Sequence, residues 1–242
     1  MTRGSFKTVF VLNDYRLTIL GVTIVMLNYD YFVEKVTEMG FYTPFSNYVD
    51  SGLSSDVERG WRIRAAQEKK LACGYFFNGK PGYISPRYFS IFIDAFRPRT
   101  TMDERYINGK LGNYEMAIWD LLSQNNNPLG WNEIRNKLGF PSLKDKAEIR
   151  QLEYALKGLQ MTFDVCICGG LDLKRSQTSD VYTTVLGYDR IDNWVPTEWM
   201  EINPRMEHEE ALEAIYRQAE KTSSVGYEKK AFTKSLKLYY WG

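Results

Sequence analysis

Residues 146–161 divide into an apolar flank and a polar flank when they are placed on a helix, at about 100° per residue. The apolar flank consists of Ile149, Leu152, Ala155, Leu156 and Leu159. The opposite flank consists of Lys146, Arg150, Tyr154 and Lys157. An amphipathic helix with a charged outer face is common in soluble proteins. The neighbouring elements therefore decide whether the polar flank is a binding surface.

Two shorter helices are predicted before this one, and a change of period follows it. Apolar spacing predicts helices over residues 114–124 and 130–139. After Met161, apolar positions alternate with more polar ones over residues 163–168, which predicts a half-buried strand. A polar loop then leads to a second strand at 181–187, so the two strands are predicted to form an antiparallel hairpin.

The order of these elements is that of a winged helix-turn-helix domain, in which the third helix enters the DNA major groove and the hairpin is the wing. We therefore predict an α+β protein with a winged helix-turn-helix domain flanked by helical segments. In that arrangement the polar flank meets the major groove, and the tip of the wing meets phosphates. The candidate DNA-binding residues are Lys146, Arg150, Tyr154, Lys157, Lys174 and Arg175.

Further helices are predicted outside this domain, at residues 29–41, 62–76, 86–96 and 206–222, and a turn is predicted at 78–85. The apolar run at 17–27 is too short to span a bilayer and lacks a following cleavage site. It is interpreted as a strand, as a buried segment, or as an extension before a start at Met26. The predicted division is an N-terminal extension at 1–28, a helical region at 29–110, the winged-helix domain at 111–200 and a C-terminal helical region at 201–242.

Composition is typical of a soluble globular protein, with 44% hydrophobic and 25% charged residues. The formal net charge is only +1, which excludes an overall electrostatic attraction to nucleic acid or to a membrane. Any basic surface is therefore local. Between residues 131 and 161, six basic residues are opposed by four acidic ones. This small excess keeps two partners open, double-stranded DNA and another protein, because winged helices serve both purposes.

Three cysteines and one histidine restrict the metal chemistry of the chain. Cys166 and Cys168 lie on one face of the predicted strand, but a zinc site needs four ligands and His208 is the single histidine. We therefore expect no metal and no cofactor. The cysteines do not form a disulfide framework, which fits a reducing cytoplasm.

Four stretches of the chain resemble the AlkZ-related proteins, a bacterial family of winged-helix proteins akin to alkylpurine and crosslink-unhooking DNA glycosylases. They are FVEKVTEMGFYTPF, EKKLACGYFFNGKPGYIS, GKLGNYEMAIWDLLSQ and IRQLEYALKGLQMTFDV, which occur in the family's order within residues 32–200. The resemblance implies a relative of enzymes that remove alkylated bases from DNA. Those enzymes build tandem winged helices around a DNA-binding groove.

The related glycosylases also carry a Gln-x-Gln or Gln-x-Asp pair near the N-terminus, and this chain has neither pattern. Residues 151–153 and 218–220 come closest, but both lie in predicted helices far from that region. The matching region offers Tyr42, Thr43 and Pro44, which are poor groups for activating water. We predict a DNA-binding protein related to repair glycosylases that lacks their catalytic pair, with no catalytic residue assigned. The alternatives are an active DNA glycosylase for alkylated bases and a winged helix that binds another protein.

Overall fold

The computed structural model describes residues 17–19, 22–24, 29–43, 55–141, 146–174 and 182–222. Within them the helices are α1 (Tyr29–Met39), α2 (Ser55–Gln67), α3 (Pro86–Phe96), α4 (Met102–Ile107), α5 (Asn113–Ser123), α6 (Trp131–Lys137), α7 (Lys146–Met161), α8 (Ile191–Trp194), α9 (Thr197–Glu201) and α10 (His208–Thr222). The strands are β1 (Leu17–Ile19), β2 (Val22–Ile24), β3 (Phe41–Tyr42), β4 (Ala72–Phe77), β5 (Lys80–Ile84), β6 (Leu129–Gly130), β7 (Val165–Lys174) and β8 (Tyr182–Arg190). The predicted α+β class is confirmed.

Six of these strands form one antiparallel sheet in the order β3-β5-β4-β7-β8-β6, while β1 and β2 pair with each other. The longest pairing joins β7 and β8, from Val165 opposite Arg190 to Lys174 opposite Tyr182. Strand β4 pairs with the other side of β7. Strands from the first half of the chain therefore share a sheet with the predicted hairpin of the second half.

The predicted succession of three helices and a hairpin is present. The helices expected at 114–124, 130–139 and 146–161 correspond to α5, α6 and α7. The strands expected at 163–168 and 181–187 pair antiparallel as β7 and β8, and both continue further than predicted. The period change after α7 therefore located the start of the hairpin correctly.

The prediction that residues 163–168 are half-buried is wrong. Asp164 and Cys166 are at most 1% exposed, as buried as Val165 and Ile167. The reason is that β7 lies between β4 and β8 in the sheet, and both α2 and α7 pack against it. Alternation in side-chain chemistry does not produce alternation in exposure when both faces of a strand are covered.

The prediction of one helix over residues 62–76 is also wrong, because α2 ends and β4 begins within this range. Lys69, with a left-handed φ of 53°, turns the chain between them. Strand β4 is almost continuously buried, so its apolar run lacks the alternation that separates a strand from a buried helix. The turn predicted at 78–85 is correct at Asn78 and Gly79, whose positive φ values suit a tight hairpin, but the residues after them form β5.

The remaining helix predictions are confirmed, with 29–41 corresponding to α1, 86–96 to α3 and 206–222 to α10. The apolar run at 17–27 contains β1 and β2. The last residues of the predicted C-terminal region, 223–242, lie outside the described residues. In the part of the chain that the structure describes, no helix has the length and apolar character needed to cross a bilayer.

Phe163 fixes the junction between α7 and β7. Its φ of 56° is left-handed, a strained conformation for a bulky residue at about 1–3 kcal/mol. The ring stacks on Phe76 with centroids 4.6 Å apart, and Phe89, Phe92 and Phe96 of α3 contact it at 6.1 to 6.2 Å. This aromatic packing holds the strained turn and with it the direction of α7 relative to the sheet.

Candidate nucleic-acid interface

Helix α7 has one flank in the core and the opposite flank in solvent. Its buried side chains, at most 4% exposed, are Leu152, Ala155, Leu156 and Leu159. On the other flank Lys146, Arg150 and Tyr154 are exposed, and Tyr154 reaches 64%. A tyrosine between two basic side chains presents an aromatic face and a hydroxyl at the same surface. The exposed flank therefore combines groups that suit both phosphates and bases.

Lys157 differs from the other three candidates of this flank, because it is half-buried. Its Nζ lies 5.0 Å from the centroid of the Tyr75 ring in β4. A cation over an aromatic ring at such a distance is attracted by about 0.5–1 kcal/mol when the site is exposed. Lys157 therefore stands at the border of the polar flank. Tyr75 was missed from the sequence, because it lies in the segment that was predicted as a helix.

The predicted wing is described only in part. Lys174 is the last residue of β7, opposite Tyr182, where the strand enters the connecting loop. Arg175 belongs to residues 175–181, which lie outside the described residues. The structure therefore places one of the two predicted wing-tip residues, at the end of a strand whose start is buried under α7.

A cleft of about 350 Å³ opens between α6, α7, β4 and β8. Its aromatic and aliphatic lining consists of Tyr75, Trp131, Leu156, Val185, Leu186 and Tyr188. Its polar lining consists of Asn132, Glu153, Lys157 and Gln160. Because Lys157 belongs both to this lining and to the polar flank of α7, the cleft adjoins the candidate interface. Its volume lies at the lower end of the range for small-ligand sites, about 300–1,000 Å³.

Gln160 holds two walls of this cleft together. Its side chain is buried, and its Oε1 accepts a hydrogen bond from the backbone N–H of Tyr75 at 3.2 Å. Its Nε2 donates to the carbonyl of Leu156 at 3.1 Å. A buried amide with both ends bonded is costly to disturb. Strand β4 is therefore pinned to α7, which fixes the position of Tyr75 beneath Lys157.

Arg135 is a buried cation on α6, one helical turn after the cleft residue Trp131. It is only 7% exposed, and its Nε and Nη1 have no hydrogen-bond acceptor within the described residues. A buried guanidinium with unsatisfied N–H groups carries a desolvation penalty. An anion such as a phosphate oxygen would satisfy these groups.

Asp164, just after α7, is the centre of a buried polar cluster. Its carboxylate accepts hydrogen bonds from Arg105 Nη1 and Nη2 at 2.9 and 2.7 Å, and from Thr162 Oγ1 at 2.5 Å. Nearby, Arg97 donates two bonds to Asp192, at 2.6 and 2.7 Å. These bonds lower the pKa of Asp192 and raise the pKa of Arg97. Charge-assisted bonds of this kind hold the start of β7 in place.

The region that was predicted from the sequence to match the catalytic pair of the related glycosylases makes structural contacts. Thr43 is buried, and its Oγ1 donates to the carbonyl of Pro81 at 3.1 Å. Glu38 forms an ion pair with a lysine of its own helix, α1, on an exposed surface. Pro44 and Asp50 lie outside the described residues.

The two glutamines nearest to the family's catalytic pattern lie on different helices. Gln151 is exposed on α7. Gln218 of α10 is buried, and its Nε2 donates to the carbonyls of Glu38 and Met39 at 3.2 and 2.9 Å. Because those carbonyls end α1, the amide of Gln218 acts as a cap for that helix.

Burial determines the acidity of the three cysteine thiols. Cys73 and Cys166 are fully buried, and Cys168 is partly buried. Burial raises the pKa of Cys168 to about 12 and also raises the pKa of the other two thiols. Within the described residues, no group of three or more His, Cys, Asp or Glu side chains is arranged to hold a metal ion. The thiols are therefore protonated at neutral pH.

Fold and surface together define an α+β protein with a candidate nucleic-acid interface on α7. The sequence profile of the AlkZ-related family matches residues 26–237. The chain therefore belongs to the AlkZ-related family, and the resemblance inferred from its four sequence stretches is confirmed. No curated protein and no solved structure matches the chain.

Proposed function

We propose that this protein binds double-stranded DNA through a winged helix-turn-helix unit built from α5, α6, α7 and the β7–β8 hairpin, within residues 111–200. The observation that carries the proposal is the exposed flank of α7, where Lys146, Arg150 and Tyr154 lie opposite the buried apolar flank. In this unit α7 enters the major groove and the hairpin lies against the backbone.

The contacts in this complex divide into two kinds. Tyr154 and Arg150, at the middle of the flank, are placed to meet base edges, while Lys146 and Lys157 meet phosphates on either side. Lys174 and Arg175 add phosphate contacts from the wing. Because phosphate contacts release counterions, this binding weakens steeply as the salt concentration rises.

Membership of the AlkZ-related family supports a role in a DNA-repair-like process. We infer that the protein binds DNA without excising bases. Two contacts support this inference: the Thr43 hydroxyl is bonded to the Pro81 carbonyl, and the Glu38 carboxylate is held by a lysine. Neither group is poised to activate water, and the glutamine pair of the related enzymes is absent from the sequence.

A protein-binding winged helix is the second candidate, and one observation favours it. Ile107 is 81% exposed and Tyr106 is 42% exposed at the end of α4, beside Met116 and Ala117 of α5. Exposed apolar side chains in one place are typical of contact surfaces between proteins. A partner bound there would leave the polar flank of α7 to DNA.

A salt titration of duplex binding tests the proposal. Anisotropy of a labelled duplex, measured over a series of salt concentrations, should give a logarithmic slope of about −0.9 for each phosphate contact. Absence of binding at low salt, or an affinity that does not change with salt, would contradict DNA binding through this surface. An Ile107→Ser variant serves as the control, because it removes the apolar patch and should leave the slope unchanged.

A further inference from the structure

The cleft between α6, α7, β4 and β8 has three aromatic side chains in its lining, from three separate elements. Tyr75 comes from β4, Trp131 from α6 and Tyr188 from β8. Planar rings are well suited to enclose another planar ring, since stacking and edge contacts both exclude water. The lining therefore favours a flat aromatic ligand over an aliphatic one of the same size.

The polar groups of the cleft include both charges and a neutral amide. Glu153 and Lys157 lie one helical turn apart on α7, and Asn132 lies on α6. Glu153 and Asn132 are exposed at the cleft, and the Lys157 ammonium lies over the Tyr75 ring. Acceptors, donors and a positive charge are therefore all available to a ligand.

The two opposite charges in the cleft favour some classes of aromatic ligand over others. An aromatic carboxylate would be attracted by Lys157 but repelled by Glu153, and an aromatic amine would meet the reverse situation. A nucleotide suits both charges, because its base offers N–H donors to a carboxylate and its phosphate offers negative charge to an ammonium. A volume of about 350 Å³ has room for one such unit.

We propose that this cleft binds a single unpaired nucleotide, with the base between Tyr75 and Trp131, its N–H groups donating to Glu153 and its phosphate at Lys157. Lys157 also belongs to the polar flank of α7, so a nucleotide in the cleft is in contact with the DNA-binding surface. The nucleotide is either free in solution or a base that is unpaired within a bound strand. The second case rests on the proposed DNA binding, and the first does not.

Two sets of probes distinguish these sources. The strand probes are three duplexes of one sequence: fully paired, with a single unpaired adenosine, and with an abasic residue in place of that adenosine. The abasic duplex has the same backbone and the same flexibility without the base. The free probes are the four deoxynucleoside monophosphates. Their binding is measured as a change in tryptophan fluorescence, and Trp131→Phe should abolish that change.

Two variants distinguish the loss of a hydrogen bond in the cleft from a change in net charge. Glu153→Gln removes the proposed acceptor of the base. Glu148→Gln removes another carboxylate of α7 that is exposed and lies outside the cleft lining, so it has the same effect on net charge. Both variants should gain the same DNA affinity from the loss of repulsion between a carboxylate and the phosphates. This gain is the same for every duplex, so it cancels when the affinities for the unpaired and abasic duplexes are compared.

Stacking of one base on aromatic side chains contributes about 1–3 kcal/mol to binding. The duplex with the unpaired adenosine should therefore bind about tenfold tighter than the abasic duplex. Glu153→Gln should reduce this ratio to below about threefold, and Glu148→Gln should preserve it. Saturable binding of a free monophosphate that Glu153→Gln weakens would equally support the cleft and assign it to a free ligand. Equal binding of the unpaired and abasic duplexes, together with no response to any monophosphate, would overturn the proposal. If none of the duplexes binds, the proposed DNA binding fails, and the free nucleotides alone decide whether the cleft is a nucleotide site.

Discussion

Arg105 and Asp164 form a buried ion pair that fastens α4 to the turn between α7 and β7. Both guanidinium Nη atoms donate to the carboxylate, at 2.9 and 2.7 Å, and neither residue is more than 4% exposed. The turn that they hold also contains Phe163, whose left-handed backbone sets the direction of α7. The orientation of the candidate DNA-binding flank therefore depends on a pair of charges that do not themselves reach the surface.

Arg105→Met should lower the free energy of unfolding by about 3–5 kcal/mol. The buried Asp164 carboxylate would lose both of its hydrogen bonds from a cation and would keep only the more distant Arg97, whose Nε lies 3.9 Å away. Methionine keeps much of the stem volume of arginine, so the loss reports the charge and its hydrogen bonds more than the packing. Urea unfolding followed by circular dichroism measures this change. A loss below about 1 kcal/mol would show that the pair contributes little to the fold.

The same substitution at Arg135 should have the opposite outcome. Arg135 is as deeply buried, but its Nε and Nη1 have no acceptor within the described residues. Arg135→Met should therefore leave the free energy of unfolding unchanged or raise it by about 1 kcal/mol. If Arg135 is a phosphate ligand, the same variant should weaken duplex binding. Equal destabilisation by Arg105→Met and Arg135→Met would refute the distinction between a paired and an unpaired buried arginine.

The ion pair of Arg97 and Asp192 should make stability depend on pH in the acid range. Hydrogen bonds from Arg97 lower the pKa of Asp192, so the ionised carboxylate stabilises the folded state. This contribution is complete above the unfolded-state pKa of about 3.9 and is lost as the pH falls through the lower folded-state pKa. Because the Asp192 side chain is 53% exposed, solvent screening reduces its size.

Asp192→Asn provides the comparison for this effect. The difference in unfolding free energy between wild type and Asp192→Asn should be constant from neutral pH to about pH 5 and should shrink below about pH 4. Denaturant midpoints measured at several pH values give this difference. A difference that stays the same down to about pH 3 would mean that the carboxylate does not titrate as the ion pair requires.

The three thiols should react slowly with a disulfide reagent such as 5,5′-dithiobis(2-nitrobenzoate) in the native protein. Burial raises the pKa of all three cysteines, that of Cys168 to about 12, so little thiolate is present at about pH 8. Labelling should then depend on opening of the structure and should be complete within seconds in denaturant. Rapid labelling of one native thiol would show that the strand carrying it, β4 for Cys73 or β7 for Cys166 and Cys168, opens readily.

We expect no release of methylated purine bases from an alkylated duplex above the background rate, even where binding is measurable. Base excision needs a group that aims water or a carboxylate at the sugar, and Thr43 and Glu38 are engaged in other contacts. Single-turnover assays of the purified protein measure this release. Persistent release that disappears in Glu38→Ala or Asp50→Ala would move the protein into the enzyme class.

Local periodicity was enough to predict α7 and the hairpin, because α7 has one buried flank and the period changes sharply after it. The same signal failed for β4, which is buried almost throughout and therefore shows no alternation. The six-stranded sheet could not be predicted, since β4 pairs with β7 across a long stretch of sequence. The cleft was missed for a related reason. Its residues come from four elements, and Tyr75, Trp131 and Tyr188 have no shared local pattern.

The polar flank of α7 is tested most selectively by removing two of its charges. The double substitution of Arg150 and Lys157 by Ala should leave the melting temperature nearly unchanged, because neither side chain is fully buried. A matched control removes Arg217 and Lys221, two exposed basic residues of α10, a helix that packs on α1 and α3. That variant has the same net charge as the α7 variant but an intact flank.

The most direct measurement is duplex affinity as a function of salt for wild type and these two double variants. The Arg150→Ala and Lys157→Ala variant should bind more weakly by about 1–3 kcal/mol. Its logarithmic salt slope should be smaller by about one, because Lys157 meets a phosphate and Arg150 meets a base edge. The α10 variant should keep the wild-type slope. Unchanged affinity and slope in the α7 variant would show that this helix does not touch DNA.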